Sequence, residues 1–272
     1  MPAQSTVLVT GATDGIGLAT AARLLELGFR VIAHGRTRDS ATTCANRLST
    51  RRATVIPVWA DFSSMQEVAT LPAQISAHTT HLDVMLNNAG MIATRYEMTA
   101  DGLEHTMAVN YFAPWLLTLR LLPLLLAAPQ ARVVNVSSMT HAGAELDPAS
   151  LDGAVQWSAY AAYSSSKLAN LLFTLSLSKR QPGMRVNALH PGVISTKLLR
   201  QGFGTSGGNV SDGARTSVYL ATSKQGASIS GRYFVNCKQQ RPARNALDEA
   251  LAEALWDTTA ERLTEHLAGV EV

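Results

Sequence analysis

Short apolar runs rich in β-branched residues alternate with segments of helical periodicity along the whole chain. Most of these runs are apolar at consecutive positions, so each predicted strand would be buried on both of its faces. Strands of that kind form parallel sheets, because the helices that connect them cover both faces. The sequence therefore predicts an α/β fold, a doubly wound parallel sheet of seven strands with helices on both faces, the strands lying at residues 6–10, 30–34, 54–58, 82–87, 132–137, 184–189 and 232–235.

Two segments near the C-terminus are interpreted from their composition. Leucines recur near helical spacing over residues 245–267, which predicts a terminal helix. Residues 197–211 hold four glycines among Ser, Thr and Asn, a composition that predicts a mobile loop. No linker or repeat interrupts the chain, and α/β chains of this length commonly fold around one sheet. We expect a single domain over residues 1–272.

A glycine-rich turn directly follows the first predicted strand. It reads Gly11-Ala12-Thr13-Asp14-Gly15-Ile16-Gly17, and an apolar helix follows it. Glycines at such a turn let the backbone approach a pyrophosphate, whose charge is stabilised by free N–H groups at the helix N-terminus. The alternative is a glycine turn with a purely structural role. The placement between strand and helix predicts a Rossmann-like dinucleotide site at Gly11, Thr13, Asp14, Gly15, Ile16 and Gly17.

The second predicted strand ends in His34-Gly35-Arg36-Thr37-Arg38, without the acidic residue that NAD-binding sites usually offer to the ribose 2′-hydroxyl. A guanidinium at Arg36 can pair with the 2′-phosphate of NADP and stack on adenine. We therefore expect NADP(H) to be favoured, with Arg36 and Thr37 in contact with it. NAD(H) stays open, because Asp39 would reach the ribose if the turn were shorter, and the arginines can also be interpreted as a solvated loop.

Tyr163 and Lys167 are one helical step apart in a predicted helix at residues 161–178, so both project from the same face. A free phenol has a pKa of about 10, and bringing it to about 7–8 requires roughly 3–4 kcal/mol of preferential stabilisation of the phenolate. A neighbouring ammonium and the charge of an oxidised nicotinamide would supply this in a poorly solvated pocket. The spacing predicts a tyrosine that acts as acid and base beside a lysine.

Further motifs follow in a fixed order. Asp61, Asn87-Asn88-Ala89-Gly90, Asn110, Ser137-Ser138 and Pro191-Gly192 stand at intervals around the glycine turn and the tyrosine–lysine pair. This arrangement resembles the short-chain dehydrogenase/reductase family over nearly the whole chain. The resemblance implies an NAD(P)-dependent oxidoreductase that moves a hydride between nicotinamide and a carbonyl or alcohol carbon.

The same resemblance implies a role for each matched residue. Ser138 would bind the substrate oxygen, Tyr163 would transfer the proton, and Lys167 would bind the ribose and lower the tyrosine pKa. Asn110 would hold a water of the proton relay. Ser137 is the neighbouring alternative to Ser138. Cofactor contacts are implied at Asp61, Phe62, Asn88, Ala89, Gly90, Tyr163, Lys167, Pro191, Gly192, Val193 and Thr196.

Within that family the chain is similar to the branch that contains the retinol dehydrogenases. The motifs that carry this similarity are Asp101-Gly102-Leu103-Glu104, Ser166-Lys167-Leu168-Ala169-Asn170, the segment from Gly231 through Cys237, and Leu255-Trp256. Several vertebrate members carry a membrane anchor before the first strand, whereas this sequence begins directly at the strand. We expect no association with a membrane.

The expected substrate is a hydrophobic ketone, aldehyde or secondary alcohol. Its contacts are predicted at Ser138, Met139, Tyr163 and Val193, with residues 197–211 closing over the site as a lid. The sequence argues against two other functions. A catalytically silent NADP-binding redox sensor or scaffold would not need the intact Ser138, Tyr163 and Lys167 set. An epimerase or dehydratase acting on nucleotide sugars would have a different glycine spacing and a larger C-terminal domain.

Bulk properties limit the partners and the compartment. The formal charge of +3 is not concentrated in a basic block, so no nucleic acid is expected. The two cysteines, Cys44 and Cys237, lie far apart, no cluster has metal-ligand spacing, and the opening segment MPAQSTVLVTG lacks a secretory signal pattern. These features predict a cytoplasmic protein without a metal. The apolar residues 111–126 are compatible with the homodimer or homotetramer that the resemblance implies.

Overall fold

One sheet organises the part of the chain that the computed structural model describes, residues 4–50, 53–152 and 157–270. Its strands stand in the order β3-β2-β1-β4-β5-β6-β7-β8, and all neighbours up to β7 are parallel. The predicted doubly wound, mostly parallel sheet is confirmed. The strands are β1 (Thr6–Val9), β2 (Arg30–Gly35), β3 (Ile56–Trp59), β4 (Val84–Asn87), β5 (Arg132–Val136), β6 (Arg185–His190), β7 (Arg232–Val235) and β8 (Lys238–Gln240).

The predicted number of seven strands is wrong, because β8 adds an eighth at the edge of the sheet. It pairs with β7 in the antiparallel direction. Asn236 and Cys237 connect the two strands with positive φ angles of 49° and 61°. Positive φ at both central residues is the geometry of a tight hairpin turn. No strand was predicted here because all three residues of β8 are polar and exposed.

The helices connect the strands in the pattern expected of an α/β fold. Short 3-10 turns occupy Met139–Gly143, Pro148–Ser150, Arg244–Leu247 and Thr264–His266, and a π-helix occupies Ala108–Phe112. The α-helices of the described residues are α1 (Gly15–Glu26), α2 (Arg38–Leu48), α3 (Met65–Ser76), α4 (His105–Met107), α5 (Ala113–Arg120), α6 (Leu122–Leu126), α7 (Ala159–Arg180), α8 (Lys197–Phe203), α9 (Val210–Thr222), α10 (Lys224–Ser228) and α11 (Glu249–Arg262).

Two apolar cores lie on opposite faces of the sheet. Along β1, Leu8 enters one core, while Val7 and Val9 enter the other. The first core includes buried side chains of α3, α5, α7 and α11, and the second includes buried side chains of α1, α2 and α9. Burial on both faces explains why the strand sequences are apolar at consecutive positions. The central strands are therefore rigid supports for the residues that follow them.

The apolar stretch around residues 115–128 forms helices α5 and α6, which pack into the first core. Pro123 stands in the first turn of α6, where a missing N–H costs little. Among the described residues, no helix is both long enough and apolar enough to cross a membrane.

Two predicted segments differ from the structure. The segment at residues 197–211 is not a loop throughout, because Lys197–Phe203 forms helix α8. The Thr196 hydroxyl caps it by accepting the Leu199 N–H at 3.2 Å, and the helix ends at Gly204 with φ of +62°. The glycine content of the segment had favoured a loop over this capped helix. The predicted terminal helix at residues 245–267 is also shorter than expected, since α11 is capped by Asp248 and ends at Arg262, with 3-10 turns on both sides.

Candidate active site

A cavity of about 720 Å³ opens at the carboxyl edge of the sheet, where the strand order reverses between β1 and β4. Open α/β sheets bind ligands at such switch points. Two predicted site residues, Thr37 and Asn110, lie outside the cavity lining. The predicted residues that line it are Gly11, Thr13, Asp14, Gly15, Ile16, Gly17, Arg36, Asp61, Phe62, Asn88, Ala89, Gly90, Ser138, Met139, Tyr163, Lys167, Pro191, Gly192, Val193 and Thr196.

The glycine turn at one end of the cavity has no room for a side chain at Gly11 or Gly17. A Cβ on Gly17 would lie 2.1 Å from the Gly11 carbonyl oxygen, and a Cβ on Gly11 would lie 2.8 Å from the Ala89 Cα. Gly11 also has φ of +63°, which glycine adopts without strain. Helix α1 begins at Gly15 and points its free N–H groups toward this turn. The geometry fits the pyrophosphate of a dinucleotide.

Asn88 and Thr10 hold the glycine turn against the end of β4. The Thr10 hydroxyl accepts the Asn88 N–H at 2.9 Å, and the Asn88 amide donates to the Thr10 carbonyl at 2.8 Å. Ala89 N–H donates to the same hydroxyl at 3.0 Å. These bonds fix the two sides of the switch point relative to each other.

His34, at the end of β2, is a cavity residue to which the sequence analysis assigned no role. Its Nδ1 accepts the Gly11 N–H at 3.2 Å, so Nε2 carries the ring proton and donates to the Ala60 carbonyl at 3.0 Å. The ring stacks on Phe62 with centroids 4.3 Å apart. Burial lowers the pKa of His34 to about 4, which keeps the ring neutral as both bonds require. One imidazole thereby joins the glycine turn to the ends of β2 and β3.

Of the residues after β2, one lines the cavity and the next ones belong to helix α2 or its cap. Arg36 is exposed and lines the cavity. The Thr37 hydroxyl instead caps α2, where it accepts the Ser40 N–H at 3.2 Å. Asp39 stands in the first turn of that helix and does not line the cavity. Arg36 is thus the charged side chain of this turn that faces the cavity.

Ser138, Tyr163 and Lys167 meet at the opposite end of the cavity. Ser138 follows β5 and hydrogen-bonds Tyr163, while its Oγ accepts the Thr140 N–H at 3.3 Å. Lys167 lies with Nζ 5.4 Å from the centre of the Tyr163 ring and donates to the Val136 carbonyl at 3.0 Å. Tyr163 and Lys167 project from α7 onto the same face, as the spacing predicted.

Burial dominates the acid–base properties of this group. It raises the pKa of Tyr163 to about 12, although the hydrogen bond from Ser138 opposes the change. It lowers the pKa of Lys167 to about 8. Burial is thus the largest influence on the pKa of Tyr163, and the Lys167 ammonium donates to the Val136 carbonyl. An added positive charge near the phenol would favour the phenolate.

Asn110 lies behind the lysine in the π-helix Ala108–Phe112. Its Oδ1 accepts the Met91 N–H at 2.8 Å, and its Nδ2 donates to the Met91 carbonyl at 2.9 Å and to the Ser166 hydroxyl at 3.0 Å. The side chain is fixed by protein groups. The π-helix is a local widening of a helix that often marks functional sites.

Helix α8 covers the cavity from the outside. Lys197 forms an ion pair of 2.9 Å with Asp14, the residue that caps α1. Phe203, at the other end of α8, packs edge-on against Tyr163 with ring centres 5.6 Å apart. Phe203 was not predicted as a site residue, because its contact with α7 joins residues far apart in the chain. The helix spans from the glycine turn to the tyrosine.

Known proteins share this fold and sequence. A model of the short chain dehydrogenase family matches residues 5–205. The chain is 36% identical to retinol dehydrogenase 14 of Mus musculus, over 93% of this chain and 84% of that protein. The crystal structure of an uncharacterized protein from Mycobacterium Paratuberculosis has a TM-score of 0.80 and 30% identity, covering 96% of this chain and 94% of that one. The RhlG/NADP active-site complex of Pseudomonas aeruginosa has a TM-score of 0.71 and 27% identity, covering 86% and 94%.

The sheet, the glycine turn and these matches define a nicotinamide-dependent oxidoreductase, and the chain belongs to the short chain dehydrogenase family. Such proteins act on small molecules with a bound dinucleotide. Within the family the chain lies in the branch of the retinol dehydrogenases, as the sequence motifs predicted.

Proposed function

We propose that this chain is an NADP(H)-preferring dehydrogenase/reductase that interconverts hydrophobic ketones or aldehydes and the corresponding alcohols. The observation that carries the proposal is one continuous cavity that joins the glycine turn to Ser138, Tyr163 and Lys167. A dinucleotide held at the turn would extend toward Tyr163. The residues at both ends are the ones that such chemistry requires.

In the reductive direction, Ser138 donates a hydrogen bond to the carbonyl oxygen of the substrate. In the structure its hydroxyl donates to Tyr163, and this proton would turn to the substrate oxygen when the substrate binds. Tyr163 gives its phenolic proton to the same oxygen as the carbonyl becomes an alcohol. A bound nicotinamide would supply the hydride that the carbonyl carbon takes up, and in oxidation it would accept one. Oxidation reverses each transfer.

Lys167 and Asn110 support the proton transfer. Lys167 binds the ribose hydroxyls of the cofactor, and its charge adds to that of the oxidised nicotinamide in favouring the phenolate. Asn110 anchors the π-helix, and a water held there resupplies the proton. Further cofactor contacts come from Asp61 and Phe62 at the adenine end. At the nicotinamide end they come from the segments Asn88–Gly90 and Pro191–Thr196.

The substrate end of the cavity favours apolar molecules. Val193 and Met139 are exposed, at 48% and 57%, and both line the cavity. Leu199 and Phe203 of α8 line the opposite wall. We propose that residues 197–211, which are α8 and the glycine-containing residues after it, form a lid over the cavity. We also propose that residues 1–272 act as one catalytic unit. A homodimer or homotetramer and a cytoplasmic location remain predictions.

Replacing Arg36 with alanine is expected to weaken NADPH binding about 10- to 100-fold and to leave NADH binding nearly unchanged. The reason is the loss of charge-assisted bonds to the 2′-phosphate, each worth about 1.5–3 kcal/mol. Calorimetric titration of both cofactors measures the two affinities. The matched control is Arg38→Ala, because Arg38 is an exposed arginine that stacks on Trp59 and does not line the cavity. Equal loss of NADH affinity would contradict the NADP preference.

Turnover with a panel of apolar ketones and aldehydes tests the activity itself. We expect NADPH to be oxidised with formation of one alcohol per cofactor, and faster than NADH at equal concentration. Cofactor binding without turnover of any carbonyl compound would instead favour the silent redox sensor.

A further inference from the structure

Two histidines, His190 at the end of β6 and His141 in the 3-10 turn after β5, bind the same peptide group, the one that joins Ser138 to Met139. The ring of His141 places Nδ1 2.6 Å from the Ser138 carbonyl oxygen. On the other side, the Met139 N–H donates to Nδ1 of His190 at 3.3 Å. The carbonyl and the N–H belong to one planar unit. Both polar groups of the peptide are therefore bonded to imidazoles.

The remaining partner of His141 fixes the protonation of its ring. Its Nε2 accepts the Ala243 N–H at 3.1 Å, so the proton is on Nδ1 and is donated to Ser138. In His190, Nδ1 is the acceptor, so the proton of the neutral ring is on Nε2. The two rings therefore bind this one peptide as opposite tautomers.

Both rings are held in the neutral state that this bonding needs. They are buried, with 4% and 9% of His141 and His190 exposed. Burial lowers the pKa of His190 to about 4, with a contribution from the nearby His141, and burial lowers the pKa of His141 as well. Neither bond changes near neutral pH as a result.

The support of this peptide extends to a part of the chain beyond the 5–205 match to the family model. Ala243 and Asn245 lie between β8 and α11, and the Asn245 amide donates to the Ala144 carbonyl at 2.8 Å. The 3-10 turn after Ser138 is thereby bonded to the C-terminal segment at two points. Tyr233 of β7 packs edge-on against His141 with centroids 5.1 Å apart.

The orientation of this peptide fixes the ψ angle of Ser138 and thereby the frame from which its side chain projects. Ser138 caps the 3-10 turn with φ of −149° and ψ of 160°, and its ψ angle is set by the plane of the peptide that follows. We propose that His141 and His190 are positioning residues that hold the Ser138–Met139 peptide. In that orientation the Ser138 hydroxyl reaches the substrate oxygen to which Tyr163 gives its proton. This inference rests on the proposed reductase activity.

Replacement of His190 by leucine and by asparagine tests the role. Leucine removes the acceptor for the Met139 N–H, whereas the Oδ1 of asparagine can take the place of Nδ1. We expect His190→Leu to lower kcat about 10- to 100-fold with KM and the affinity for NADPH nearly unchanged, and His190→Asn to recover most of kcat. The control is His78→Leu, because His78 is exposed after the end of α3 and does not line the cavity, so this change should leave kcat unchanged. Full activity in His190→Leu, or no recovery in His190→Asn, would overturn the proposal.

A double-mutant cycle with Ser138→Ala separates positioning from general support. If His190 acts through Ser138, His190→Leu should cost little further kcat once the hydroxyl is gone. An undiminished loss in the Ser138→Ala background would show that His190 does not act through Ser138. Melting temperatures of all variants report whether folding is affected.

A readout without turnover keeps this inference distinct from the proposed function. Nitrogen NMR of the imidazoles should show the Nδ1–H tautomer for His141 and the Nε2–H tautomer for His190, with the Met139 amide protected from exchange. Exchange of that amide should become faster in His190→Leu. If the wild type turned over no carbonyl compound but showed these signals, the proposed activity would be refuted while the hydrogen bonds of the two histidines to the Ser138–Met139 peptide would be supported. The opposite tautomers or an unprotected Met139 amide would overturn this positioning role, whatever the activity.

Discussion

Replacing Tyr163 with phenylalanine is expected to lower kcat by about 10²–10⁴-fold, the usual contribution of a general acid or base. The tyrosine is 8% exposed, and its ring packs against Phe203 and lies near Lys167. Phenylalanine keeps these ring contacts and removes only the phenolic hydroxyl, with its proton and its hydrogen bond to Ser138. The affinity for NADPH should therefore change little. Steady-state kinetics and calorimetric titration of the cofactor measure the two effects.

Tyr160 provides a matched control one turn earlier on α7. It also packs edge-on against Phe203, with ring centres 6.1 Å apart, but it is 53% exposed and does not line the cavity. Tyr160→Phe should retain wild-type kcat. A Tyr163→Phe variant with full activity would remove the tyrosine from the mechanism.

Replacing Gly17 with alanine is expected to weaken cofactor binding about 10- to 100-fold and to lower the melting temperature. The new Cβ would lie 2.1 Å from the Gly11 carbonyl oxygen and 2.4 Å from Nδ2 of Asn88, so the backbone of the turn must move. Overpacking of this kind costs about 1–3 kcal/mol, and the displaced turn loses its fit to the pyrophosphate. Calorimetric titration and thermal unfolding measure the change.

Gly183→Ala is the control for that substitution. A Cβ on Gly183 meets nothing within 4 Å, so alanine there should leave both cofactor affinity and melting temperature close to the wild type. If Gly17→Ala bound NADPH as tightly as Gly183→Ala, the glycine turn would not be the pyrophosphate site.

The sheet could be predicted from the sequence because burial on both faces leaves a clear mark on each strand. The strands β1, β2, β4, β5, β6 and β7 are apolar at consecutive positions, and the crossover helices impose their parallel order. Strand β8 carries no such mark, since Lys238–Gln240 is polar and depends on a turn at Asn236 and Cys237. Helix α8 was missed because its cap at Thr196 and its packing on Tyr163 outweigh the glycine content.

The candidate site could be predicted where its residues form short motifs. The glycine turn and the Tyr163–Lys167 pair each have a spacing with a physical reason, and their order pointed to the family. His34 and His190 have no such spacing, because their hydrogen-bond partners are distant in sequence. The raised pKa of Tyr163 was also unforeseen, since it depends on how completely α8 and the cavity walls bury the phenol. Long-range packing decides these features, and local patterns do not record it.

The central claim is that Tyr163 becomes an acid and base near neutral pH when the oxidised cofactor is bound. An ultraviolet difference titration of the wild type against Tyr163→Phe, with and without NADP⁺, measures this directly. Without cofactor, burial raises the pKa to about 12, so no phenolate should form below about pH 10. With NADP⁺, the added positive charge should lower the pKa of Tyr163 so that the phenolate forms at about pH 7–8. A tyrosine that stays protonated up to about pH 10 with NADP⁺ bound would contradict the account.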